Sequence, residues 1–150
     1  MSLKISSELR AKLLNAAREA DPLECCGLLM GHNDTVTDTV TGILPAANVS
    51  DTPHTHFEID PAILIAAEKA VRIRSEAEQG ASQRAGQGAA ILGYYHSHPS
   101  GKAVPSATDA QMAVPDGRYW VVIASEELGV FRAVQKGEVW GRFDKVEVLG

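Results

Sequence analysis

The chain has 150 residues, 45% of them hydrophobic, and a formal net charge of −5. That is the size and make-up of one compact globular domain with a real core, and the acidic balance, without a Lys/Arg cluster, argues against a nucleic-acid partner. No run approaches the roughly 20 apolar residues that span a bilayer, and two adjacent cysteines, Cys25 and Cys26, cannot form a disulfide framework.

The pattern then reads as follows. Ser6 or Ser7 caps a first helix to about Ala20, with Leu9, Leu13, Ala16, Ala17 and Ala20 on one stripe, and Asp21-Pro22 stops it. Glu24 to Met30 reads as a buried strand, Gly31-His-Asn-Asp as a turn, and Thr35 to Leu44 as a β-branched strand. Residues 45–56 read as a loop. Asp60-Pro61 starts a second helix that runs to about Gln79, ended by Gly80. Residues 81–88, small and polar, form a connection within the domain. Ala89 to Tyr95 is an apolar strand, Ser106 to Ala113 a short helix, and Pro115-Asp-Gly a turn. Tyr119 to Ala124 is a strand, and Val130–Gln135 and Glu138–Phe143 pair as a hairpin around Lys136-Gly137. Strands and helices alternate without a strict βαβ repeat. We therefore expect a single domain, residues 1–150, with a mixed sheet flanked by helices, in a reducing cytoplasm.

The chemistry concentrates after the Ala89–Tyr95 strand. In an extended chain residues i and i+2 point to one side, so His96 and His98 aim at a common point. Pro99-Ser-Gly turns the chain and lets Asp109 fold back. Two imidazoles and a carboxylate form a common ligand set for one catalytic zinc ion, with a fourth position for water. Ser106 and Asp109 also fit a helix cap with an acidic residue in the first turn, and the two readings are compatible. A hydrolytic site of this kind needs a base. Glu24 opens an apolar strand, where burial would raise its pKa, but spacing alone does not select it over Glu58 or Asp60. His54 and His56 repeat the His-x-His pattern in a loop without an obvious third ligand. Cys25 and Cys26 read as packed small side chains more than as ligands.

The set Glu24, His96-Ser-His98-Pro, then Ser106-x-x-Asp109 with seven residues between His98 and Ser106, resembles the JAMM motif of MPN-domain metalloproteases. Glu-Cys-Cys-Gly-Leu-Leu-Met-Gly and Phe57-Glu-Ile-Asp-Pro extend the resemblance over nearly the whole chain, in a form similar to the bacterial stand-alone relatives. The resemblance implies a three-layer α/β/α fold like that of cytidine deaminases. It also implies zinc on His96, His98 and Asp109, Glu24 as general acid/base, and Ser106 as a hydrogen-bond donor to the water or the developing oxyanion. The Pro-Cys-x-x-Cys element of the deaminases themselves is missing.

The implied activity is cleavage of a peptide or isopeptide bond after the Gly-Gly tail of a ubiquitin-like or sulfur-carrier protein, the tail binding as an extended strand. Three rivals carry weaker support: a non-catalytic MPN scaffold, which would lack ligands that this chain keeps; a radC-like protein, whose added helix-hairpin-helix domain is missing; and a cell-wall peptidase.

Overall fold

The computed structural model describes residues 1–78 and 89–150. In chain order the elements are β1 (Ser2–Lys4), α1 (Ser7–Ala20), β2 (Cys26–His32), β3 (Thr37–Ala46), α2 (Pro61–Glu78), β4 (Ala90–Ser97), α3 (Ala107–Met112), β5 (Tyr119–Ala124), β6 (Glu127–Gly137), β7 (Gly141–Lys145) and β8 (Glu147–Leu149). The strands form one eight-stranded mixed sheet in the order β7-β6-β5-β4-β2-β3-β1-β8. Its two end strands are halves of one segment. Val146 joins them and donates its amide to the Val130 carbonyl at 2.9 Å, while Ile5 donates to Leu149, also at 2.9 Å. The sheet therefore curls until its margins meet in the C-terminal segment, which leaves little free edge to pair with other chains.

Alternation along the strands divides the core in two. On β5, Tyr119, Val121 and Ile123 pack with Leu9 and Leu13 of α1, while Trp120 and Val122 pack with Phe57, Ala113 and Phe143 on the other face. On that face Leu64 of α2 and Met112 of α3 line one groove together with Tyr94 and Trp120. One helix on one face and two on the other give the expected three layers. Each fully buried leucine, such as Leu13, contributes about 1.5–3 kcal/mol of transfer free energy.

The central strand breaks its own alternation. Leu29 pairs with Gly93 but Met30 pairs with Ile91, so Leu92 is an extra residue on β4. Gly93 is required there, because a Cβ would lie 1.9 Å from the Tyr119 carbonyl oxygen. The irregularity places Leu92 and Tyr95 on the α1 face and turns Tyr94 to the opposite one.

Several expected boundaries move. β2 begins at Cys26, after Glu24, and continues through Gly31 and His32, so the turn falls at 33–36. The expected late hairpin forms as β6 with β7, and β6 also pairs antiparallel with β5 in a second hairpin, joined at Ser125 and Glu126, whose φ values are 49° and 66°. No glycine marks that turn in the sequence. Glu126 is instead held by an ion pair with Arg18 of α1. The strand expected at Glu138–Phe143 begins at Gly141, because residues 138–140 form the turn before it. The helix end at Gln79-Gly80 and the connection 81–88 lie outside the described residues. Among the described residues no helix is long and apolar enough to cross a membrane.

Candidate metal centre

His96 closes β4 and His98 lies just beyond it, with their Nε2 atoms 3.0 Å apart. The geometry around each ring has a local cause. His96 is 0% exposed, stacked on Phe57 at 4.2 Å between centroids and flanked edge-on by Trp120. The Pro99-Ser-Gly turn brings the Lys102 carbonyl to 2.9 Å from His98 Nδ1. A carbonyl can only accept, so Nδ1 carries the proton and, in the neutral ring, Nε2 keeps its lone pair for a metal. Ser97, between the two, accepts the Cys25 amide at 2.8 Å and donates its own amide to the Cys25 carbonyl at 3.1 Å. That clasp extends the antiparallel register, in which Cys26 faces His96, by two residues and sets Glu24 across from His98.

Asp109 reaches the same point from α3. Ser106 caps this helix in a reciprocal capping box. Its hydroxyl accepts the Asp109 amide at 3.1 Å, and its own amide donates to Asp109 Oδ2 at 2.9 Å. The same Oδ2 lies 3.0 Å from His96 Nε2 and 3.1 Å from His98 Nε2. The capping role and the placement of Asp109 beside the histidines are thus one structure.

Glu24 is 5% exposed. A carboxylate oxygen of Glu24 and one ring nitrogen each of His96 and His98 all lie within 4.8 Å of one another, a group able to hold a metal. Its Oε1 has no hydrogen-bond partner among the described residues. Glu58 is exposed and Asp60 caps α2 by accepting the Ala62 amide, so only Glu24 of the three faces the histidines.

Electrostatics separate the two carboxylates. Burial pushes Glu24 up to about 7; His98 pulls against this and Asp109 adds to it. Burial also raises Asp109, but the adjoining His96 and His98 imidazoles outweigh it and hold it well below the usual carboxylate range. Burial lowers His96 against the Asp109 contacts, which favours its neutral, ligating form. Burial acts the same way on His98, but its bonds to Asp109 and the Lys102 carbonyl prevail and raise it.

The residues fit a metal ion. Three electron-rich atoms, two Nε2 and one Oδ2, converge within 3.1 Å, an arrangement that a shared cation relieves. Ligand atoms about 2.0–2.1 Å from a tetrahedral ion lie about 3.3 Å from one another, close to the observed spacing. Glu24 stands further off, a fitting place for a proton carrier beside the ion.

The other sequence candidates lie outside this cluster. His56 is engaged through Nδ1 by the hydroxyls of Thr52 and Thr55, at 3.0 and 2.7 Å, and His54 is exposed. Cys25 and Cys26 are free thiols, both raised by burial, Cys26 to about 12, so neither is a ready thiolate. Sequence reasoning did not single out Asn48, Trp120 or the Lys102 carbonyl. Phe57 stood in a quoted motif, but nothing in the sequence foretold its stacking on His96.

The chain matches a family described as prokaryotic homologs of the JAB domain over residues 6–137. It is 32% identical over 128 residues to a desampylase of Haloferax volcanii, covering 83% of this chain and 81% of that protein. It is 36% identical over 106 residues to a probable TtuB-protein conjugate cleaving protease of Thermus thermophilus, covering 71% of this chain but only 57% of that longer protein. Among solved structures, a protein from Desulfitobacterium hafniense is similar with a TM-score of 0.76 and 26% identity, over 98% of this chain and 91% of that one. A JAB1/MPN domain protein from Archaeoglobus fulgidus shares the fold at 18% identity, with a TM-score of 0.52 over 100% of this chain and 97% of that one.

Proposed function

This chain belongs to the prokaryotic JAB-domain family, and on that premise we propose that it is a zinc-dependent isopeptidase acting on conjugates of a ubiquitin-like or sulfur-carrier protein. The observation that carries the reading is the convergence of His96, His98 and Asp109 beside a buried, unpartnered Glu24. We assign one zinc ion to the three converging side chains, and we take residues 1–150 to work as one catalytic domain in the cytoplasm.

Zinc bound there polarises a carbonyl oxygen and lowers the pKa of water toward about 7. The remaining roles fall to the chain. Glu24, with a carboxyl poised near neutrality, takes the proton of the attacking water and delivers it to the departing amine. Ser106 accepts the Asp109 amide through its oxygen, so its hydroxyl hydrogen is free to meet negative charge developing on the substrate oxygen. His98 keeps its tautomer through Lys102, and Phe57 shields His96 from water.

A groove of about 210 Å³ is lined by Phe57, Glu58, Ile59, Tyr94, Met112, Val114 and Trp120, and two of these, Phe57 and Trp120, also pack on the His96 ring. An extended tail fits this shape, and a terminal Gly-Gly pair lets its backbone pass the aromatic rings without Cβ clashes. The relatives' names, which speak of sampylated and TtuB-conjugated proteins, support such a partner. The test is cleavage of a ubiquitin-like carrier fused through Gly-Gly to a C-terminal extension, with products read by mass spectrometry. Hydrolysis directly after the second glycine, lost on chelation and restored by zinc, is the expected result. Cleavage that is indifferent to chelator would overturn the assignment.

A further inference from the structure

Glu24 lies before the start of β2, so no sheet ladder holds it. Both of its backbone polar groups go instead to the loop after β3. Its amide donates to the Pro53 carbonyl at 2.8 Å, and its carbonyl accepts from Asn48 Nδ2 at 3.0 Å. Asn48 uses its whole side chain. Nδ2 also donates to the His56 carbonyl at 3.0 Å, and Oδ1 accepts the amides of Ser50 and Glu58 at 3.1 and 3.0 Å. Four hydrogen bonds saturate an amide that is only half-buried. The carboxyl end of Glu24 offers no comparable anchor, because Oε1 is unpartnered. Its aim toward the histidines therefore depends on where the backbone is held.

We infer that Asn48 is a positioning residue for the reaction: it holds the Glu24 backbone opposite His98 and ties it to residues 56–58, which lead into the groove wall. The inference rests on the proposed role of Glu24. Asn48 touches neither substrate nor metal; it acts through Glu24. Misplacing a reacting group by about 1 Å costs up to about 100-fold in rate. Aspartate is the informative replacement, because it keeps the acceptor for Ser50 and Glu58 but cannot donate to the carbonyls of Glu24 and His56.

The experiment is a double-mutant cycle with Asn48→Asp, Glu24→Gln and the pair, using the Gly-Gly fusion substrate well below each variant's melting temperature, with bound zinc measured for each. Asn48→Ala accompanies them, so that a folding defect in one variant does not decide the outcome. Asn48→Asp is expected to lower kcat about 10- to 100-fold, with KM and zinc content near wild type. In the Glu24→Gln background the same substitution should cost nothing further, because the group it positions is gone. A penalty for Asn48→Asp that persists undiminished beside Glu24→Gln, or that appears as zinc loss, overturns the positioning role while leaving the isopeptidase reading intact. A Glu24→Gln enzyme at wild-type rate would overturn both.

Discussion

Replacing Glu24 with glutamine isolates proton transfer from everything else the site does. The side chain keeps its length and nearly its volume in a position only 5% exposed, so packing around it should hold. The three converging atoms of His96, His98 and Asp109 are untouched, so zinc should stay bound. What changes is the ability to take and return a proton. In the metal-free protein burial pushes the Glu24 carboxyl up to about 7, toward the range in which one group can serve as base and then as acid. Glutamine can do neither. General acid–base catalysis contributes about 10²–10⁴ in rate, or about 3–5.5 kcal/mol of barrier, and Glu24→Gln should lose most of it. Single-turnover cleavage of the Gly-Gly fusion, paired with elemental analysis for zinc, measures both quantities. A rate within a few-fold of wild type, with zinc retained, would refute the reasoning. Loss of zinc from Glu24→Gln would show that Glu24 is a ligand and not the proton carrier.

His98→Ala removes one of the three proposed ligands and should abolish both stoichiometric zinc and activity; full zinc occupancy in that variant, read by elemental analysis, would contradict the assigned ligand set. Ser106→Ala should cost about 1 kcal/mol in thermal unfolding from the lost helix cap, and kcat should fall further, by about 10²-fold, if its hydroxyl meets the oxyanion. Lost stability in Ser106→Ala with kcat at the wild-type value would leave Ser106 a cap alone. In metal-free protein the raised pKa of Glu24 means that the folded state holds this proton more tightly than the unfolded chain, whose value is near 4.5. The stability it contributes is intact below about pH 4.5 and is lost as pH rises through about 7. Metal-free Glu24→Gln should therefore melt about 2–8 °C above metal-free wild type at about pH 8, from about 1–2 kcal/mol after discounting for water reaching the cleft, and no higher at about pH 4.5. An unchanged gap at both values would contradict the burial account. Gly93→Ala should destabilise strongly, since its Cβ would meet the Tyr119 carbonyl at 1.9 Å; an unaltered melting temperature would show that β4 and β5 can part there.

Local chemistry made much of this molecule legible in advance. Ser6 accepts the Leu9 amide at the start of α1, Asp60 the Ala62 amide at the start of α2 and Ser106 the Asp109 amide at the start of α3, because the first amides of a helix have no partner within it and a nearby side-chain oxygen can supply one. The two-residue period of an extended chain put His96 and His98 on one side, and the Pro99-Ser-Gly turn returned the chain toward them, so three of the converging groups lie within 14 residues of sequence. The turn at Ser125-Glu126 was not legible, since its left-handed residues are held by an ion pair from α1 and not by glycine.

The short-range pattern by itself determined the helix starts, the alternation of strands such as β5 and the grouping of His96, His98 and Asp109, because those depend on bonds and periods spanning a few residues. Spacing left open which acid faces them; the motif resemblance pointed to Glu24, and only the tertiary structure supplies the physical reason. Glu24 is brought there by a register between strands 72 residues apart, clasped by Ser97 at Cys25. Its pKa, the tethering of its backbone by Asn48 and the stacking of Phe57 on His96 likewise come from surroundings assembled out of distant segments. The closure of the sheet at Val146 has the same origin. Burial and cross-strand register belong to the packed whole, and no local run of residues encodes them.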